Sequence, residues 1–282
     1  MAVLTEKEAF EVEVYAAENW EQQWINAQFN EDCGFFEKYP IANTLFRECA
    51  DRDILVVCAG PSMWHEFGYI RKWHDRGGVI VCVDRALPTL IDNGIFPGYC
   101  ISGEKSNAVC KWIIPCLEKD NTKNVKFVLP VWGDGDLWNA LDFEGCDLHW
   151  YVPFSCHCFF ANGWEETRGP EACCILAGRI IGFTACDFAA RLGAKRVITI
   201  GNDLSAGPAK QYFSIKESTV NNLIEVDDGH GNKVMTAPSF YQASLREFPF
   251  LTQKHPDIEF VDCSGGLDKA GWKKTTMKEI LS

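Results

Sequence analysis

The sequence has no uninterrupted apolar run of the roughly 18 residues that a membrane-spanning helix needs, so no such span is expected. Its first twenty residues, MAVLTEKEAFEVEVYAAENW, have no basic start and place acids inside the apolar stretch, so no secretory signal is expected either. Basic residues are few relative to acids, 27 against 39, and the net charge is −12. That balance excludes a diffuse phosphate-backbone footprint but leaves room for a local basic pocket. Gly-x-Gly-x-x-Gly and the Walker A sequence are both absent, which removes the standard dinucleotide and P-loop readings. There is no internal repeat and no low-complexity tract. The expectation is a cytoplasmic protein with neither nucleic acid nor membrane as partner.

Cysteine is abundant, at 14 residues, yet no Cys-x-x-Cys pair exists and the strongest metal signature is missing. Most of these residues sit in apolar runs such as Val81-Cys82-Val83, Tyr99-Cys100-Ile101 and Ala172-Cys173-Cys174-Ile175. There a reduced thiol packs as a small hydrophobe, as a reducing compartment allows. Cys156-His157-Cys158 is the one cluster with a metal-like look, and its spacing argues against a closed ligand set. No metal site is expected.

What is present is alternation. Residues 1–50 read as a helical extension, with Phe10, Val14, Trp20, Trp24 and Phe29 on helical spacing. From residue 51 onward, short apolar runs are separated by amphipathic stretches. Strands are expected at Ile54–Ala59, Val79–Val83, Tyr99–Ser102, Val125–Leu129, Leu148–Val152, Val197–Ile200 and Ile258–Val261. Several are apolar at successive positions, as parallel strands covered on both faces require. Helices are expected at Trp64–Trp73, Ala86–Asn93, Ala108–Lys119 and, at greater length, from about Pro170 to Leu192. Asp228-Gly-His-Gly-Asn232 reads as a turn between two short strands outside this pattern. The fold class is α/β, a doubly wound, Rossmann-like, mainly parallel sheet over residues 51–282.

Ligands of such sheets bind beyond the carboxyl ends of the strands, so the residues after each apolar run are the candidates. Gly60-Pro61-Ser62 joins close backbone approach to a helix start, where free N–H groups and a positive dipole end suit an anion. Asp84 follows the second run and can bind a ribose hydroxyl or cap the next helix. Ser102-Gly103-Glu104-Lys105 follows the third, with Glu104 available as a base, a metal ligand or a cap. Gly169-Pro170 is read as a second anion-binding helix start. Gly201-Asn202-Asp203 follows the Val197–Ile200 run at the same rim. Asp134-Gly135-Asp136 has the form of a metal-binding Asp-x-Asp but suits a helix N-cap better. His230 is a possible base in a segment whose chemistry is that of a turn.

The segments VVCAGPSMWH, VIVCVDRALPTLIDNGIFPGYCISGE, LGAKRVITIGNDLS, GNKVMTAPSF and FVDCSGGLDKAGWKKTTMKEIL, in this order, resemble one family across residues 53–282. It unites the bacterial flagellar motility accessory factors with the archaeal 6-hydroxymethyl-7,8-dihydropterin pyrophosphokinases. The Gly-Pro-Ser turn and Gly-x-Asp rim are more distantly similar to bacterial sialyltransferases that use CMP-sugars. The resemblance implies a Rossmann-like fold and one of two activities: transfer of a nonulosonic acid to flagellin, or transfer of pyrophosphate from ATP to a pterin alcohol with magnesium. It places Gly60, Pro61 and Ser62 in a nucleotide-binding turn, Asp84, Ser102, Gly103 and Glu104 at the next two strand ends, and Gly201 with Asp203 at the later rim. The chain departs from the pyrophosphokinase pattern in having one carboxylate, Glu104, at the third strand end. It departs from the transferase pattern in having no His within 205–218, which leaves Tyr212 and the distant His230.

The first expectation is therefore a glycosyltransferase-like enzyme using a nucleotide-activated sugar, a CMP-nonulosonate foremost, without a metal. A protein or small molecule would be the acceptor. Glu104 and Asp203 are the catalytic candidates, and Gly60, Pro61, Ser62, Asp84, Ser102, Gly103, Gly169 and Gly201 line the nucleotide. An ATP-dependent pyrophosphokinase with magnesium and a non-catalytic nucleotide- or sugar-binding module are the alternatives. On this reading Gly60→Val costs nucleotide binding without costing the fold.

Overall fold

The computed structural model describes residues 21–154, 174–206 and 223–282. Its strands are β1 (Asp53–Val57), β2 (Val79–Val83), β3 (Tyr99–Ile101), β4 (Lys126–Pro130), β5 (Asp147–Phe154), β6 (Cys174–Leu176), β7 (Arg196–Ile200), β8 (Ile224–Asp227), β9 (Lys233–Thr236), β10 (Glu259–Asp262) and β11 (Lys273–Lys274). Nine of them form one sheet in the order β11-β10-β7-β1-β2-β3-β4-β5-β6. Every pairing in it is parallel. β8 and β9 form a separate antiparallel hairpin around Asp228–Asn232.

The apolar runs explain the central strands. Ile54 to Val57 of β1 are each fully buried, and all five residues of β2 are buried. A strand covered on both faces gains roughly 1.5–3 kcal/mol for each large aliphatic residue it hides, which outweighs the loss of alternation. From β1 the order runs one way through β2 to β5, and from β7 it runs the other way through β10 to β11. Right-handed crossovers then put the two sets of helices on opposite faces. Accordingly the helix Ile181–Arg191 packs on β1, β2 and β7 and touches the helix Phe248–Lys254. The helix Met277–Leu281, after β11, returns to pack on the helix Phe67–Asp75. This is the α/β, Rossmann-like architecture.

All seven expected strands are present, with ends that differ by at most two residues. The expected helix from Pro170 to Leu192 is shorter: residues Cys174–Leu176 are β6, and the helix begins at Ile181. Three apolar residues there pair with the end of β5 instead of continuing a helix. The Ala108–Lys119 stretch is broken into short turns around Pro115. Residues 21–32 are helical, and buried Asn30 fixes this helix by donating to the Val131 and Gly133 carbonyls. Phe35 and Phe36 then pack on Trp138. The expectations at Phe10, Val14, Trp20, Cys156-His157-Cys158, Gly169-Pro170 and Tyr212 lie outside the described residues. No helix among the described residues is long and apolar enough to cross a membrane.

Candidate functional site

The sheet order reverses between β1 and β7, so the crevice beyond their carboxyl ends is the topological switch point. The two loops there touch through glycines. Gly60 N–H donates to the Gly201 carbonyl at 2.7 Å. A β-carbon on Gly60 would lie 2.2 Å from Asp203 Oδ2 and 2.4 Å from Gly201 O. Gly201 has φ +72°, and a β-carbon on it would lie 2.0 Å from the Cys58 carbonyl oxygen. Only glycine at both positions permits this approach.

Side chains complete the lock. Ser62 N–H donates to Asp203 Oδ2 at 3.1 Å, and Gly201 N–H donates to Ser62 Oγ at 3.1 Å. Thus Gly60, Ser62, Gly201 and Asp203 do converge, as the sequence suggests. The N–H that opens the Ser62–His65 turn, however, is already taken by a carboxylate of the chain itself. Asp203 is only 4% exposed, and burial raises its pKa above the ordinary range despite the bonds from Ser62. Its placement is that of a turn lock, with Leu267 N–H also bonded to its carbonyl.

The next strand ends form a second group. Asp84 Oδ2 accepts from Ser102 Oγ at 2.7 Å and Oδ1 accepts from Arg85 N–H at 2.7 Å. Burial pushes the Asp84 carboxyl up to about 6, against these two bonds. The Ser102 carbonyl accepts from Tyr151 Oη at 2.8 Å. Asp84 and Ser102 are 4% and 1% exposed, so they brace the rim from beneath. Glu104 Oε1 accepts from Lys105 N, Ser106 N and Ser106 Oγ, which folds the loop after β3, while Oε2 takes no part in these bonds. Gly103 lets that loop reach the helix Ile181–Arg191: a β-carbon there would stand 3.0 Å from Ile181 Cδ1.

Magnesium, which the pyrophosphokinase alternative requires, prefers open carboxylate oxygens in octahedral array. Asp84 and Asp203 are bonded inward, and Glu104, which keeps one oxygen outside its loop's bonds, has no second open carboxylate beside it among the described residues, so these residues do not fit it. Among the described residues no three His, Cys, Asp or Glu side chains converge as metal ligands would. Asp134 accepts from Asp136 N–H as the N-cap of the helix Gly135–Phe143, so Asp-Gly-Asp is a cap here. His230 is brought to the rim, where Nε2 pairs with Asp268 at 3.0 Å.

The loop after β10, to which the sequence gives no site residue, closes over this crevice. Ser264 Oγ accepts from Asn202 N–H at 2.9 Å, and Gly265 lies against Asp203. Asp262, 1% exposed, takes Thr199 Oγ1 and Ser264 N on one oxygen and pairs through the other with Lys269 and Lys274 at 2.9 and 3.0 Å. The two ammonium groups and these donors hold its carboxyl below the usual carboxylate range in spite of burial. In the sequence, Lys-Ala-Gly-Trp-Lys-Lys has the composition of a surface turn, and nothing in it announces a buried lysine.

The family model described as 6-hydroxymethylpterin diphosphokinase MptE-like matches residues 28–207, well over half of the chain. Among solved structures, that of the MAf glycosyltransferase from Magnetospirillum magneticum AMB-1 matches with a TM-score of 0.67 at 18% identity. The match covers 85% of this chain and 36% of that one, so the chain spans little more than a third of that structure's length. At this identity the likeness speaks for the fold. No curated protein sequence matches the chain significantly.

Proposed function

The chain belongs to the MptE-like family, and from that premise we propose that it is a nucleotide-dependent transferase, acting on a nucleotide-activated sugar, with the nucleotide bound at the β1–β7 switch point. The observation that carries this reading is the convergence of Gly60, Ser62, Gly201 and Asp203 where the strand order reverses. A phosphate-bearing ligand at such a crevice is met by backbone donors at strand ends and helix starts, which need no reorganisation as charge develops on the leaving phosphate. A CMP-nonulosonate is the donor that the sequence resemblance favours. The likeness to a glycosyltransferase structure agrees with it in fold.

In this reading the acceptor hydroxyl oxygen bonds to the anomeric carbon as the bond from that carbon to the phosphate oxygen breaks. The nucleotide leaves with its phosphate. Glu104 is the carboxylate at the rim with an oxygen outside its loop's bonds, and we assign it the hydroxyl proton. Asp203 and Asp84 hold the turns. The pyrophosphokinase alternative is favoured by the name of the family model and disfavoured by the lack of paired open carboxylates at β2 and β3.

A thermal-shift series with CMP, CDP, UDP, GDP and ATP, each with and without magnesium, tests the proposal. A ligand that binds only the native state at a hundred times its dissociation constant stabilises by about 2.7 kcal/mol. The proposal expects stabilisation by CMP regardless of metal. A shift seen only with ATP and magnesium would favour the pyrophosphokinase.

A further inference from the structure

The helix Ile181–Arg191 starts beside the switch point, and no side chain caps its first turn. At eleven residues it has a positive dipole end there, although Phe183 N–H in its first turn is taken by the Ile180 carbonyl at 3.0 Å. Gly182, in that turn, lets Asn202 pack against the helix start: a β-carbon on it would stand 2.8 Å from Asn202 Oδ1 and 3.0 Å from Cys58 Sγ. Asn202 is 3% exposed, and among the described residues its Nδ2 has no hydrogen-bond acceptor.

A second donor in the same neighbourhood is incompletely satisfied. The Lys269 side chain is fully buried. Its Nζ pairs with Asp262 Oδ2 at 2.9 Å, and among the described residues no other acceptor meets its N–H groups. Lys274 shares that oxygen and also pairs with Asp268 at 3.5 Å. Asp262 also accepts from Ser264 N–H, and Ser264 Oγ accepts from Asn202 N–H, which ties the ammonium to the amide.

A buried donor left without an acceptor costs on the order of 1–3 kcal/mol, and more when charged. Native proteins keep such groups where a ligand or ion supplies the acceptor. Here the missing partner is an anion with several oxygens.

We propose that Asn202, Lys269 and the first turn of the helix Ile181–Arg191 form a phosphoryl-binding subsite on the β7 side of the crevice. The proposal rests on the nucleotide reading above and gives it a phosphate position other than the Ser62 turn, whose N–H Asp203 occupies. Two sources of the phosphoryl group are distinguished by probe: the phosphate of CMP and free inorganic pyrophosphate.

The test is calorimetric titration of the full chain with CMP, cytidine and pyrophosphate. It compares the wild type with Asn202→Ala and Lys269→Met, each checked for folding by circular dichroism. CMP and pyrophosphate affinities are expected to fall by about tenfold or more in each variant, the loss of one charge-assisted contact, while cytidine binding stays unchanged. Should Lys269→Met fail to fold, Asn202→Ala decides alone. CMP binding to the wild type and the variants with equal affinity would overturn the subsite and leave the nucleotide reading standing. An equal loss of cytidine and CMP affinity would also overturn the subsite, as general damage to the site. Pyrophosphate binding that depends on Asn202 or Lys269, with no binding of CMP, UDP or ATP, would support the subsite and overturn the nucleotide reading. No binding of any probe to the wild type would overturn both.

Discussion

A β-carbon built on Gly60 meets a carboxylate oxygen at 2.2 Å and a backbone oxygen at 2.4 Å, and the second cannot swing away. Gly60→Val is therefore expected to destabilise the fold itself by about 2–3 kcal/mol, the usual cost of overpacking, in urea unfolding. That differs from the sequence expectation of a folded but non-binding variant, because the space next to Gly60 holds Asp203. A variant as stable as the wild type would show that the loops do not touch in this way. Asp84 gives a second measurement. Its folded pKa of about 6 stands above the ordinary 3.8, so its contribution to stability is fully present below about pH 4. It is lost as pH rises towards 6, over a range worth roughly 3 kcal/mol at 1.36 kcal/mol per pKa unit. Asp84→Asn can still accept from Arg85 N–H and hydrogen-bond Ser102, and it has no proton to lose. Denaturation from pH 4 to 7 is expected to show the variant gaining on the wild type as pH rises. Parallel pH profiles would contradict the assignment.

At the scale of elements, one loop and one helix start separate chemistry from architecture. Glu104→Gln keeps an acceptor for Lys105 N and Ser106 N, so the loop after β3 should lose no more than about 1 kcal/mol. Removing the base should slow transfer by about a hundredfold or more. A stability loss with unchanged turnover would make Glu104 a loop residue only. Asp134→Ala removes the N-cap of the helix Gly135–Phe143 and is expected to cost about 1 kcal/mol without altering nucleotide affinity. Loss of affinity would revive the metal-binding reading of Asp-Gly-Asp. The elements most legible in the sequence were those with continuous apolar runs, such as Val79–Val83, whose bounds agree to the residue. Strand β11 is the dipeptide Lys273-Lys274, extended because it pairs with Val261 and Asp262, and no local signal carries that. Strand β6 is apolar like a helix face, so only its partner Val152–Phe154 tells it apart.

At the scale of the whole molecule, the reversal of strand order determines where a ligand can meet several loops at once. Glycine-rich strand ends placed Gly60, Ser62, Gly201 and Asp203 at that rim from sequence alone. Lys269 and Asp262 were not legible, since their burial follows from the loop after β10 folding back over β7. Hydrogen exchange on the whole chain, with and without saturating CMP, tests the switch-point account most directly. Protection is predicted at Cys58–Trp64, Ile181–Thr184 and Gly201–Leu204 together, with or without magnesium, because these backbone segments border one crevice. Protection confined to other segments, or none at saturation, would contradict a nucleotide site at the β1–β7 switch point.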